Sequence, residues 1–438
     1  MKEERSLSLL QLMVNEGLVP SPEEEENRKT VIEKLKQIVV AWVKRVAWQR
    51  RLPKQDIAVT SATLLTYGSY GLGVHGSESD IDALCVGPYF ATMVNLDILN
   101  PVFLRDIDET GWKSLSRVLA NTQICRLVPD LKKFQSMLRC VKFWAKRRGV
   151  YGNLNGFLGG IHLAILAAFV CQCDPFVGLS ALISHFFKKF AFWPWPRPVE
   201  LQDETLHPTL NPTETRLYMP IRLPFSSYEY CHSNITKSTF YKIRTEFLRG
   251  HNLTKDLLKF DFDWHNVLEP FPYTKKYAWF LKIFLSASKQ DELGDWVGWI
   301  KSRFCCLLFK LEEVQGLCDP NPAEYIDVNI ADPHVIFYWG LQAGKTNAID
   351  IKSVKDVFWR NISTGYQGPF GKIELSIVQA SQVPKSAQFD TLSQKKKACW
   401  KMMDYHQRRI PIYSQHVPQY IVGYVSTNGD PEYPSAGV

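Results

Sequence analysis

A glycine-rich turn between two short strand patterns, the second led by paired acids, does most to narrow the fold of this chain. Thr63 to Thr66 and Ile81 to Val86 read as strands, and Tyr67-Gly68-Ser69-Tyr70-Gly71-Leu72-Gly73 opens the turn between them. Residues two apart on a strand share a face, so Asp80 and Asp82 are expected to project together while Ile81 and Ala83 go inward. Two carboxylates on one face suit a hard divalent cation. The glycines let backbone N–H groups approach an anion, and Ser69 adds a hydroxyl donor. Cradle and carboxylates together describe a nucleoside triphosphate site. Two-metal phosphoryl chemistry usually takes a third carboxylate, so function turns on whether the chain has one.

With 438 residues, 45% hydrophobic and 13% aromatic, the chain can build two or three domains with sizeable cores. A net charge of +8 is mild for this length and does not by itself establish a nucleic-acid partner. Ten cysteines fall without a CxxC pair, and Met1-Lys2-Glu3-Glu4-Arg5 lacks the apolar run of a secretory signal. Reduced, intracellular thiols are expected, with Cys171, Cys173, Cys305 and Cys306 in packing roles and the sequons at Asn234, Asn252 and Asn361 accidental. The closest approach to a membrane span, Gly156 to Cys173, is interrupted by His162 and Gln172, so no run reaches roughly 18 uninterrupted apolar residues. The expectation is a soluble monomer without a membrane partner.

Ser21-Pro22-Glu23-Glu24 reads as a capped helix start, and Val31, Ile32, Leu35, Val39, Trp42, Val43 and Val46 predict one buried stripe running to about Arg50. Leu131 to Arg148 predicts a helix that is half core and half anion surface, through Lys132, Lys133, Arg139, Lys142, Lys146, Arg147 and Arg148; a merely solvated basic face remains the alternative. Gly156 to about Val170 reads as an apolar helix, and the proline-spaced stretch from Trp193 to Pro224 as an irregular connection. A helix over Ser238 to Arg249 follows. From about Tyr273, strand-like Ala278 to Leu285, a helix over Gln290 to Arg303 and strand-like Cys306 to Lys310 suggest a small mixed α/β domain. Gln394-Lys395-Lys396-Lys397 is too short for a nuclear import signal and reads as a solvated loop.

These residues resemble the eukaryotic nuclear poly(A) polymerase family, plant type. The resemblance rests on Tyr67 to Gly76, Asp80 to Pro88, Arg139 to Tyr151, Gly156 to Gly160, Met219-Pro220-Ile221, Asn234 to Thr239, and Trp296 to Ile300 with Ser302-Arg303, in that order along Leu9 to Pro322. It implies an α+β chain: a reduced nucleotidyltransferase palm over 1–125, a helical central domain over 126–272, and over 273–438 an RNA-binding domain of RNA recognition motif type, ferredoxin-like, with the active site in the cleft between the first two. It further implies that Tyr67, Gly68 and Ser69 hold a triphosphate with Gly76 nearby, that Asp80 and Asp82 ligate Mg²⁺ or Mn²⁺ with Ile81 between them, and that Lys142 and Tyr151 contact the nucleotide. Asn153 would sit near the base, and Gly160 with Ile161 would pack against adenine. Lys142, Tyr151 and Gly160 also have plain structural readings, as a surface lysine, a packed aromatic and a helix-contact glycine, and His75 reads as a turn residue. The implied activity adds AMP from ATP to mRNA 3′ ends, with the cleavage and polyadenylation machinery as partner, in the nucleus or partly in the cytoplasm.

One departure stands out. The family carries its third metal carboxylate on a later palm strand, yet only about 45 residues separate Asp82 from Leu127-Val128-Pro129 here, roughly half what the resemblance implies. The stretch near 92–95 is expected to be the point of loss, leaving an unpaired palm edge. Asp97 is the one geometric substitute, through a hairpin bringing it opposite Asp82, and Asp106, Asp108 and Glu109 read as a solvated acidic turn. A binding protein without turnover, or another template-independent transferase such as a uridylyltransferase, are the alternatives.

Overall fold

The computed structural model describes residues 2–77, 79–87, 109–202, 217–226, 229–342 and 351–384. The chain opens with α1 (Lys2–Asn15), α2 (Pro22–Gln49) and α3 (Lys54–Val59), then β1 (Thr63–Tyr67), the single turn α4 (Gly68–Gly71), β2 (Asp82–Val86) and α5 (Glu109–Leu127). Next come α6 (Leu131–Arg147), α7 (Gly160–Cys173), α8 (Leu179–Ala191), α9 (Lys237–Thr254), α10 (Trp264–Val267) and α11 (Tyr273–Lys276). The last stretch holds β3 (Trp279–Ser286), α12 (Gln290–Lys301), α13 (Phe304–Val314), β4 (Cys318–Asp319), β5 (His334–Leu341), α14 (Ile351–Ser363) and β6 (Lys372–Gln379). Among the described residues, 14–126 form one compact unit, and 2–13 with 127–384 the other. No helix of the described residues is long and apolar enough to cross a membrane.

In the smaller unit, α2 starts where the sequence places it. Ser21 Oγ accepts from the Glu24 backbone N–H, and Glu24 accepts from the Ser21 N–H at 2.7 Å, closing a capping box with Pro22 at the first helical position. β1 and β2 pair antiparallel, with Tyr67 opposite Asp82 and Thr63 opposite Val86. The expected buried stripe on α2 is corrected: Ile32 and Val43 are buried, but Val31, Leu35 and Trp42 stand in solvent. A helix of 28 residues is about 42 Å long, against about 17 Å for a five-residue strand, so the described hairpin cannot cover it.

The larger unit is densely aromatic. Trp144 on α6 stacks on Phe247 of α9 at 5.5 Å and meets Phe187 of α8 edge-on at 4.9 Å. Gly250 allows that approach, since a Cβ there would run into the Phe187 ring. α1 is strapped to this unit by Arg5, which donates to the Phe262 and Lys259 carbonyls while its own carbonyl accepts from the Trp264 indole. Two buried ion pairs lie within it: Arg148 on Glu246 at 2.7 Å and Lys242 on Asp319 at 2.6 Å. Tyr277 donates to Asp319, and the Lys242 ammonium donates to the Tyr273 oxygen.

The sheet that follows has the order β4-β5-β3-β6, every neighbour antiparallel. One face packs on α12, α13 and α14 through Trp296, Phe304 and Phe358. On the other, Phe280, Ile336 and Tyr338 lie under Phe271, Tyr273 and Val383. Covered on both faces, β5 is buried along its whole length, which is why His334–Leu341 is almost continuously apolar. The strand expected at Cys306 to Lys310 is helix: Phe304, Leu307, Leu308 and Leu311 recur at three and four residues and all point into the core. α7 starts at Gly160 rather than Gly156, which takes a left-handed conformation (φ +77°) tight against the Asn234 carbonyl.

Candidate functional site

The hairpin of the smaller unit brings its sequence-predicted residues together. Tyr67 ends β1 directly across from Asp82, the first residue of β2. Between them Gly68 takes φ +65°, and a Cβ there would collide with the Asp82 carboxylate, so only glycine lets the turn cross that acid. Ser69 lies in the helical turn, where its carbonyl accepts from the Val74 N–H at 2.8 Å. From α5, the buried Asn121 donates to the Gly68 carbonyl at 3.0 Å and pins the turn from behind. Asp80 is exposed and precedes the strand instead of belonging to it, with Ile81 half-buried next to it. The alternation expected of a continuous strand therefore does not place Asp80. The loop Val74 to Ser79 does, and it contains Gly76.

Electrostatics couple the two acids. Burial, and then the charge of Asp80, push the Asp82 carboxyl above its ordinary range, opposed by the exposed Arg117. An acid raised in this way beside a second carboxylate fits a divalent cation, whose charge would favour the ionised form of Asp82. Among the described residues no group of three or more His, Cys, Asp or Glu side chains is placed to hold a metal. Asp97, Asp106 and Asp108, together with the point of loss near 92–95, lie outside the described residues, as does the 394–397 lysine run.

Sequence reasoning missed the support beneath this loop. Glu24, read only as a cap, also accepts from the Ser77 hydroxyl at 3.1 Å. Glu25 meets the buried His75 ring at 2.8 Å, and His75 in turn packs on Tyr70 at 4.8 Å. Arg28, which donates to the Gly76, Ser77 and Ser79 carbonyls, recurs with Glu24 and Glu25 within the first two turns of α2, at the spacing of one helix face. The acidic run Glu23 to Glu26 obscured that signal.

In the larger unit, Lys142, Tyr151, Asn153, Gly160 and Ile161 are all half-buried. Tyr151 bridges Leu158 in parallel, and its hydroxyl would lie 3.5 Å from a Cβ on Gly160, so the two are neighbours. The Lys146 ammonium lies 5.5 Å over the Tyr151 ring. Asn153 is held through both of its oxygens: its side-chain oxygen accepts from the Asn234 N–H and its carbonyl from the Asn234 amide, each at 3.2 Å. His162 was not foreseen. It is buried in the first turn of α7, and its Nδ1 accepts from the Gly159 N–H at 2.9 Å. Burial, then the nearby His232, lower it to about 4, so it stays a neutral imidazole holding the entry to Gly160.

Residues 2–103 match the family of poly(A) polymerase nucleotidyltransferase domains, and residues 133–270 that of poly(A) polymerase central domains. The chain is 51% identical over 481 residues to nuclear poly(A) polymerase 3 of Arabidopsis thaliana, covering 96% of this chain and 94% of that protein. It is 30% identical to nuclear poly(A) polymerase 2 of the same plant, covering 87% of this chain and 56% of that one, so it spans about half the length of this second relative. A solved Cid1 poly(U) polymerase with MgGTP bound superposes with a TM-score of 0.43 at 15% identity, over 62% of this chain and 100% of that one.

Proposed function

The chain belongs to the nuclear poly(A) polymerase family, and from that premise we propose that it adds AMP from ATP to the 3′ ends of RNA in the nucleus. The observation that carries the reading is the β1–β2 junction, where Gly68 gives way to the Asp82 carboxylate beside Asp80. Tyr67, Gly68 and Ser69, with Gly76, are the proposed triphosphate cradle, and Asp80 and Asp82, flanking Ile81, the proposed ligands for Mg²⁺ or Mn²⁺. Such an ion, when bound, neutralises triphosphate charge and lowers the pKa of an attacking hydroxyl. The residues themselves orient: the turn opened by Gly68 and Ser69 would offer backbone N–H groups to the triphosphate, and Asn121 holds that turn from behind through the Gly68 carbonyl. Lys142, Tyr151, Asn153, Gly160 and Ile161 are proposed as nucleotide contacts, Lys142 as a point charge on phosphate. Their half-burial and the fixed Asn153 suit a recognition surface.

We assign the palm to 1–125, although α1 packs with the larger unit, the central helices to 126–272, and an RNA recognition motif type domain with a poorly matched C-terminal tail to 273–438. The β-α-α-β-β-α-β order and the sheet order β4-β5-β3-β6 support the last of these. RNA is the substrate partner, and the cleavage and polyadenylation machinery the proposed protein one.

A second reading has its own support. The alignment with nuclear poly(A) polymerase 3 runs to 481 residues against 438 in this chain, so that relative has positions this chain lacks. A family member without its third carboxylate would bind nucleotide or RNA without turnover. Primer extension on an oligo(A) RNA with ATP and Mg²⁺ or Mn²⁺ separates the two. Extension abolished by Asp80→Ala supports the enzyme, and its further loss in Asp97→Ala makes Asp97 the substitute ligand. No extension, with ATP still bound, supports the second reading, and UTP outcompeting ATP overturns the adenylate assignment.

A further inference from the structure

We propose that Arg28 is a positioning residue for the metal-binding carboxylates, fixing Asp80 through the backbone of the loop that precedes it. The inference rests on the nucleotidyltransferase reading of Asp80 and Asp82. From the second turn of α2, the Arg28 guanidinium donates to three main-chain carbonyls: Nη1 to Ser79 at 2.6 Å, and Nη2 to Ser77 at 2.8 Å and Gly76 at 3.2 Å. The next residue after Ser79 is Asp80. Within the loop the Gly76 N–H donates to Ser79 Oγ at 2.9 Å and the Ser79 N–H to the Gly76 carbonyl at 3.1 Å, and the Ser77 hydroxyl reaches Glu24 at 3.1 Å, but among the described residues the contact to the Ser79 carbonyl, next to Asp80, is the one Arg28 makes.

The chemistry of this contact is specific. Three carbonyl oxygens converging on one point repel one another, and a planar cation with donors in a fixed fork is the side chain that satisfies them together. A lysine ammonium has no such fork. Because its donors are directed at backbone carbonyls, the guanidinium acts on the site through the loop and not as a phosphate ligand.

The two acids are thus positioned by different means. Asp82 is set by strand register, opposite Tyr67. Asp80 lies outside the strand, and its position depends on the loop that Arg28 holds. α2 also reaches the phosphate turn, through Glu25, His75 and the Tyr70 ring. One helix end therefore ties the proposed cation ligand and anion cradle to a common support, with Glu24 reaching Ser77 and Arg28 reaching the Ser79 carbonyl directly before Asp80. Removing such outer partners of a ligand typically weakens metal binding about 10- to 100-fold.

The test is Mn²⁺ binding by the full chain without nucleotide, read from the electron paramagnetic resonance of free Mn²⁺, with a thermal melt on each sample. Wild type should bind, Asp82→Ala should not, and Arg28→Ala should raise the Kd about 10- to 100-fold. Guanidinium ion at millimolar concentration should restore part of the affinity of Arg28→Ala. Arg28→Lys, which keeps charge and helix propensity, should remain weak and serves if the alanine variant does not fold. A wild-type Kd in Arg28→Lys, or in a folded Arg28→Ala, overturns the inference even if the melting temperature falls, because Arg28 would then only stabilise the fold. Wild type binding no better than Asp82→Ala overturns instead the metal reading on which the inference stands.

Discussion

Arg148 lies on Glu246 and Lys242 on Asp319 in the buried interior of the larger unit, whereas in the smaller unit Asp80 and Asp82 share the end of one hairpin as like charges. The first arrangement is closed. Its ions face opposite ions, Tyr273 and Tyr277 add hydrogen bonds, and Gly149 (φ +63°) leaves room because a Cβ there would strike the Tyr273 hydroxyl. The second is open, and among the described residues the exposed Arg117 is the charge that opposes the shift. Breaking a balanced buried pair is costly because the remaining ion is left uncompensated, whereas like charges at a preorganised turn are candidates for a ligand.

The largest test of that contrast is Lys242→Ala. It should cost about 3–5 kcal/mol, because Asp319 is left buried and unpaired. A urea denaturation curve shifted by less than 1 kcal/mol (roughly the scale of an exposed pair) would mean the pair is not closed in solution.

Acid should attack the same unit next. His162 is lowered to about 4 in the fold from an ordinary value of 6.5, so the unfolded chain takes up its proton first as pH falls. The stability from this group is complete above pH 6.5 and is lost as pH falls towards 4, a loss of about 3 kcal/mol from His162. Melts run across that window should show the loss, and His162→Asn should flatten it.

Mn²⁺ should act on the smaller unit and spare the other. At one hundred times its Kd the ion should stabilise the unit by about 2.7 kcal/mol. Hydrogen exchange with and without Mn²⁺ should locate the new protection at residues 63–86, and protection appearing instead around Lys242 would break the contrast.

Smallest, and opposite in sign to Lys242→Ala, is Asp82→Asn. Without metal it should leave stability unchanged or raise it by less than about 1 kcal/mol, because it removes a half-buried carboxylate repelled by Asp80. The same variant should lose Mn²⁺ binding. A clear loss of metal-free stability would show that Asp82 is structural as well.

Local patterns made much of this legible. Ser21 and Glu24 announced the start of α2, the glycines separated β1 from β2, and Leu131 to Arg147 formed the helix its periodicity implied. The errors arose where local pattern is ambiguous. Cys306 to Lys310 is a short apolar run of the kind strands and buried helices share, and burial of Leu307, Leu308 and Leu311 decided it as helix. The α2 stripe was periodic, but periodicity says which residues share a face and not whether a partner is present to cover them.

Within the candidate site, the sequence by itself determined the features that depend on near neighbours: Gly68 with Ser69 in the turn, Asp80 and Asp82 two apart, and the ordered matches from Arg139 to Tyr151. Only the tertiary structure decided that Arg28 grips the carbonyls before Asp80, that Asn121 pins the Gly68 carbonyl, and that Lys242 finds Asp319. Those partners stand roughly 50 to 77 positions apart in the chain. Helix and strand periods relate residues a few positions apart, so contacts at such separations exist only once the elements have packed.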